Sequence, residues 1–128
     1  METAVEARKS AYAPYSGYRV GAALLAEDGR VFTGCNVENA AYSPTLCAER
    51  VAVGKAVSEG ATRFVAIAVV GGAGEDPSDT CTPCGVCRQM LAEFGSPDMA
   101  IVVGSPARFA VHTLAELLPH SFGAGELG

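Results

Sequence analysis

The chain is expected to fold as α/β, a three-layer α/β/α sandwich on a mixed five-stranded sheet. Three observations predict this. Two early apolar segments meet around Asp28-Gly29, a strong hairpin signal. Two later runs, "RFVAIAVV" and "AIVVG", are continuous, apolar and β-branched, as strands buried on both faces are. Helical segments alternate with those runs, and strand–helix–strand order lays helices over a sheet.

The elements follow in order. Residues 3–13 read as a short helix stopped by Pro14. "VGAALLAEDGRVFTGCNVEN" supplies the hairpin. Ser43-Pro44 or Thr45 can cap a helix whose pattern runs from about Leu46 to Glu59 and stops at Gly60. "RFVAIAVV" is the third strand. After a loop, "GGAGEDPSD", Thr82 reads as an N-cap and Pro83 as the first helical residue, so "CGVCRQMLAEF" is helical until Gly95. "AIVVG" and "RFAVHT" are the last strands, and "TLAELL" closes the chain as a helix. No repeat, linker or low-complexity segment interrupts this order, and residues 1–128 read as one domain.

Composition narrows the function. The 128 residues are 49% hydrophobic and 18% charged, enough apolar material for a packed core and too little charge for disorder. The longest apolar run, Phe64 to Val70, falls well short of the roughly 20 residues a membrane helix needs. The N-terminus, "METAVEARKS", lacks the apolar segment of a signal peptide. These readings place the protein in the cytoplasm, where thiols stay reduced. The five cysteines therefore do not suggest a disulfide framework, and metal binding or catalysis becomes the better reading of a cluster. The net charge is -5, and nine Lys plus Arg are spread thinly, so there is no basic stripe for a long nucleic acid.

The cluster is "CTPCGVCRQ", Cys81 to Gln89, with two overlapping C-x-x-C motifs. If Pro83 opens the helix, Cys84 and Cys87 lie in its first turn and a half with both sulfurs on one face. The helix N-terminus then favours their ionisation. Cys81 lies before the cap, so the geometry favours Cys84 with Cys87 and leaves Cys81 as the weaker ligand candidate. Cys47, in "YSPTLCAER", repeats the design at the start of another helix. Cys35 reads as a small buried hydrophobe, and His112 and His120 as surface or loop residues. Three protein ligands leave zinc an open fourth position, which marks catalytic sites; structural sites close all four. Glu49, two residues after Cys47, can share such a site only if the site lies off the helix's N-terminal end.

"CAER" followed by "PCGVCRQ" resembles the zinc-dependent cytidine deaminases in their three-thiolate variant. "YAPYSGYRVGAALL", "GCNVENAAYS", "KAVSEG" and "ELLPHSF" extend the resemblance to the short, homotetrameric form over nearly the whole chain. The resemblance implies one zinc per chain, held by Cys47, Cys84 and Cys87. It implies hydrolytic deamination of cytidine and deoxycytidine in pyrimidine salvage, with Glu49 shuttling protons between water and N3 of the base. By the same resemblance Arg50 hydrogen-bonds the ligand sulfurs and offsets their charge, and Asn36 and Glu38 bind ribose hydroxyls. Ala48 and Tyr18 belong to the substrate site, Tyr18 standing where the family usually has a stacking phenylalanine. Phe122 would close a neighbouring subunit's pocket, and Tyr42 belongs to the same intersubunit region. Arg88 and Gln89 read as residues that pack their helix.

The expected substrate is a free, uncharged nucleoside. Both helix N-termini near the site are committed to thiolates, Glu38 repels phosphate, and Arg19 reads as solvated or paired with an acid. Three rival readings stand beside this one. The first is a deaminase of another cytosine-containing small molecule. The second is a non-catalytic zinc module with Cys81 or Cys35 as fourth ligand. The third, a thiol–disulfide oxidoreductase, leaves Cys47 and Glu49 without a role.

Overall fold

A computed structural model describes residues 1–127. Its elements are α1 (Glu2–Arg8), β1 (Arg19–Ala26), β2 (Val31–Cys35), α2 (Ala48–Ser58), β3 (Phe64–Gly72), α3 (Gly85–Phe94), β4 (Gly95–Ser105), β5 (Arg108–Thr113) and α4 (Leu114–Leu117), followed by a 3-10 turn at Ala124–Leu127. The five strands form one sheet in the order β2-β1-β3-β4-β5. Only β3 and β4 run parallel, joined through α3; the other neighbours are antiparallel.

The register sorts side chains between the two faces. Ala22 stands opposite Gly34 and Val69, and Leu24 opposite Phe32 and Ile67. Ile67 and Val69 continue the row to Ile101 and Val103. All of these point to one face and pack there with Ala52, Val53 and Ala56 of α2 and Leu91 of α3. Each large aliphatic side chain buried this way stabilises the fold by about 1.5–3 kcal/mol. Gly21 belongs to the other face, where α1 lies so close that a Cβ would overlap the Ala4 carbonyl. Helices on both faces of a mixed sheet are the expected three layers.

Gly34 sets the position of α2. A Cβ there would run into the Ala48 carbonyl and the Ala52 nitrogen, so the bare backbone of β2 lets the first turn of α2 rest directly on it. That contact fixes where the N-terminus of α2 sits.

Three helix starts and ends differ from the sequence reading. The first helix ends at Arg8, not at residue 13. The chain turns away because Tyr12 pairs with the end of the hairpin: its N–H donates to the Asn36 carbonyl at 2.9 Å, and Glu38 N–H donates to the Tyr12 carbonyl at 2.8 Å. Helix α2 begins at Ala48, because Leu46 is held in a bridge to Val37. Neither Ser43 nor Thr45 caps it; the Thr45 hydroxyl instead accepts the Asn39 N–H at 3.0 Å. Helix α3 begins at Gly85, which leaves Thr82 and Pro83 outside it. Strand β4 also starts earlier than the apolar run "AIVVG", at Gly95, which pairs with Phe64; the other helix limits hold. Gly60, at φ 89°, follows the end of α2, and Thr113 with Glu116 forms a capping box at α4. No helix among the described residues is long and apolar enough to cross a membrane.

One buried charge ties the layers together. Arg8 donates to the carbonyls of Arg19 (3.0 Å), Glu75 (2.7 Å), Gly72 (2.6 Å) and Gly74. The end of α1 thereby fastens the loop that leaves β3 towards the cysteines.

Candidate metal centre and substrate cleft

The N-termini of α2 and α3 converge. Cys47 is the N-cap residue of α2 and Cys84 that of α3; both have extended backbone, and neither side chain caps its helix. Cys87 lies buried in the first turn of α3. Its sulfur is 3.4 Å from Cys84 Sγ, which is 3.8 Å from Cys47 Sγ. All three sulfurs lie within 4.8 Å of one another. Zinc–thiolate bonds of about 2.3 Å in tetrahedral geometry separate the sulfurs by about 3.8 Å. The spacing fits.

The electrostatics fit as well. Contact with Cys87 pulls the Cys47 thiol well below its ordinary pKa, while the same contact and burial push Cys87 far up. Thiols so close share one negative charge unless a cation lets all of them ionise. Two helix N-termini add partial positive charge at the same place. Arg50 adds a full one. It donates from Nη2 to the Thr45 carbonyl at 2.8 Å, while its buried Nε has no hydrogen-bond partner. Burial works against its charge, but the neighbouring Cys47, Cys87 and Cys84 outweigh it and raise the pKa. An orphaned buried donor is costly, and an ionised Cys47 sulfur is the acceptor at hand. Three thiolates, a compensating arginine and no fourth protein ligand among the described residues suit zinc with one open position.

Glu49, in the first turn of α2, is 4% exposed. Burial holds its carboxyl above the usual carboxylate range; its own backbone N–H opposes this and the Cys47 charge adds to it. With Cys47 as the N-cap, both residues sit at the helix's N-terminal end, which is the condition for sharing a site.

Cys81 and Cys35 do not join the cluster. The Cys81 sulfur packs beside the Tyr18 ring on Gly71, where a Cβ would meet them at 2.9 and 3.1 Å. Burial raises the pKa of the Cys81 thiol and of the Tyr18 hydroxyl, the latter helped by Cys81 and Asp79. Cys35, read as buried, is only half-buried at the end of β2. His112 approaches Glu116 at 3.7 Å on the surface, and His120 is exposed.

The hairpin end runs alongside Cys47. Val37 and Leu46 exchange backbone hydrogen bonds, both 2.9 Å, so residues 36–39 flank the chain that enters α2. Asn36 is buried; its amide donates to the Tyr18 carbonyl and accepts the Val20 N–H, both at 2.8 Å, which leaves one amide proton. Glu38 Oε1 accepts from the N–H groups of Tyr15 (2.9 Å) and Ser16 (3.2 Å), and Oε2 from the Ser16 hydroxyl. Led by the Ser16 hydroxyl, these bonds hold the carboxyl below the usual range. Tyr15, Ser16, Glu38, Asn39, Tyr42 and Thr45 line an open cleft of about 430 Å³. Ala48 is wholly buried, backbone included. Tyr42, exposed, holds a left-handed backbone at φ 61°.

The C-terminal segment corrects two readings. Gln89 donates to the Phe122 carbonyl at 2.8 Å, and Arg88 donates to the carbonyls of Pro83 and Leu117, both at 2.7 Å. These side chains fasten the segment that carries exposed Phe122 to α3; they do more than pack the helix. Arg19 donates to the Gly74 carbonyl at 3.3 Å and has no acidic partner among the described residues. Sequence reasoning passed over Ser16 and Arg8. The Pro-Tyr-Ser-Gly turn could have pointed to the serine; nothing in the pattern singles out the arginine.

Residues 1–104 match the family model described as the cytidine and deoxycytidylate deaminase zinc-binding region. A cytidine deaminase from Sporosarcina psychrophila is 48% identical over 95% of this chain and 88% of its own. One from Halalkalibacterium halodurans is 45% identical over 99% of this chain and 94% of its own. The crystal structure of a cytidine deaminase from Burkholderia pseudomallei superposes with a TM-score of 0.86 at 45% identity, covering 94% of each chain.

Proposed function

The chain belongs to the zinc-binding cytidine deaminase family, and we propose how its own residues turn cytidine and water into uridine and ammonia. Cys47, Cys84 and Cys87 hold one zinc per chain, with Arg50 offsetting the surplus negative charge of three thiolates. Bound there, zinc supplies the Lewis acidity that brings the pKa of water towards about 7. Glu49 accepts a proton from the attacking water and delivers it to N3 of the pyrimidine. The water oxygen bonds to C4. The C4–N4 bond then breaks as the proton of the new C4 hydroxyl passes through Glu49 to the amino group, which leaves as ammonia while C4 becomes a carbonyl. One carboxylate serves first as base and then as acid.

The observation that carries this reading is the convergence of two helix N-termini and three sulfurs at a single place, with the buried Glu49 in the first turn that follows Cys47. Its direct test is metal content with turnover: about one zinc per chain, and loss of cytidine absorbance on incubation. Zinc without turnover would favour the structural module.

Around that centre, Tyr18 stacks on the base, and Asn36 and Glu38 take the hydroxyls of ribose or deoxyribose. Glu38, with both oxygens already fed by donors, is an acceptor for sugar hydroxyls and a poor neighbour for phosphate. The substrate is accordingly the free nucleoside, in cytoplasmic pyrimidine salvage, and a different cytosine-containing molecule would leave the two sugar residues idle. The enzyme is a homotetramer in which Phe122 closes a neighbour's pocket and Tyr42 lies in the same intersubunit region. In support, Tyr42 and Phe122 are exposed here, at 77% and 54%. Sedimentation of a fully active monomer at assay concentration would end that part of the reading.

A further inference from the structure

Ser16 lines the cleft beside Glu38 and hydrogen-bonds to both Glu38 and Tyr18. Its hydroxyl donates to Glu38 Oε2 and accepts the Tyr18 N–H at 3.0 Å. A hydroxyl has one proton and two lone pairs, so both directions of this group are used. Glu38 is a surface side chain with several free torsions, costly to order. Two backbone N–H groups hold its Oε1, and the Ser16 hydroxyl alone holds its Oε2. The other side of Tyr18 is tied as well, its carbonyl accepting the Asn36 amide at 2.8 Å. Both backbone groups of Tyr18 are therefore held by side chains, and one of those is the side chain that aims Glu38.

We propose that Ser16 is a positioning residue that aims Glu38 at the hydroxyls of the sugar. The inference rests on reading Glu38 as the acceptor of the sugar's hydroxyls. Ser16 acts on binding and leaves the Glu49 chemistry alone. Its loss shows in KM for substrates that carry those hydroxyls, with kcat nearly unchanged.

The experiment is a double-mutant cycle on the zinc-loaded enzyme. Wild type, Ser16→Ala, Glu38→Ala and the double variant are compared with cytidine and with 2′,3′-dideoxycytidine. The latter serves as substrate or, where turnover is too slow to follow, as competitive inhibitor. Removing one charge-assisted hydrogen bond should raise KM for cytidine about tenfold, with kcat within about twofold and little change towards the dideoxy compound. In the Glu38→Ala background the same substitution should add less than about twofold. Ser16→Thr, which keeps the hydroxyl, should recover most of the affinity and shows that loss is not general misfolding. A full tenfold penalty that persists without Glu38, or falls equally on the dideoxy compound, overturns the proposal alone. If Glu38→Ala leaves discrimination between the two compounds unchanged, the reading of Glu38 falls and the proposal falls with it.

Discussion

Cys47 and Cys84 occupy the same position on two different helices: each is the N-cap residue, and their sulfurs stand 3.8 Å apart. An N-cap usually carries an oxygen that accepts a first-turn N–H, and neither thiol does so. Both point off the helix end, where the two macrodipoles meet on one concentration of negative charge. A cation held there ends two helices at once.

Ligand substitutions check this arrangement. Ser at Cys47, Cys84 or Cys87 should each cut bound zinc from about one per chain to near zero and remove activity. Cys81→Ser and Cys35→Ser should keep both. Metal analysis that finds zinc lost from the Cys81 variant and retained in the Cys47 variant would reverse the assignment.

Gly34→Ala probes how the sheet seats the centre. The added methyl meets the Ala48 carbonyl, so α2 must lift from β2 at a cost of about 1–3 kcal/mol. Since Ala48 adjoins Cys47, zinc affinity should fall with stability in parallel denaturation and zinc-titration measurements. A loss of stability with unchanged zinc affinity would show that this contact does not place the thiols.

Arg8→Ala removes four donors from buried or partly buried carbonyls and should destabilise the fold by about 2–4 kcal/mol. Amide exchange should quicken in residues 73–80 while the α2 and α3 core keeps its protection. Arg8→Lys should recover only part, because a single ammonium does not span the same carbonyls. Uniform loss of protection across the chain would mean that Arg8 holds the whole fold and not this loop.

The sheet was legible in the sequence because buried strands need apolar, β-branched runs, and Phe64–Val70 and Ala100–Val103 are such runs. The three thiols were legible because each sits at the start of a readable helix, whereas the role of Glu49 came only through the family resemblance. The exact helix starts were not legible. Thr45 and Thr82 have oxygens that cap well, so propensity favours them, yet the caps are cysteines whose thiols point to a shared site. The end of α1 was misread for a related reason: pairing of Tyr12 with Val37 is a contact between distant residues, and it decides what Pro14 was thought to decide. The bonds of Arg8, Ser16, Arg88 and Gln89 go mostly to backbone groups, which no side-chain pattern reveals.

Substrate charge is the next test. Cytidine and deoxycytidine should be turned over, whereas their 5′-monophosphates should fall in kcat/KM by about a hundredfold or more, since an uncompensated dianion near Glu38 costs several kcal/mol. A short single-stranded cytosine oligonucleotide should not react. Monophosphates used as efficiently as nucleosides would mean that Glu38 does not face the sugar.

The central claim is that Glu49 moves protons at a centre it does not itself hold together. Glu49→Gln is nearly isosteric, so the most direct measurement is turnover of cytidine by this variant with zinc content and melting temperature determined on the same preparation. The expected result is about one zinc per chain, a melting temperature within a few degrees of wild type, and turnover reduced 10²–10⁴-fold, roughly what a proton shuttle contributes. Turnover within about tenfold of wild type, with zinc and fold intact, would contradict the account.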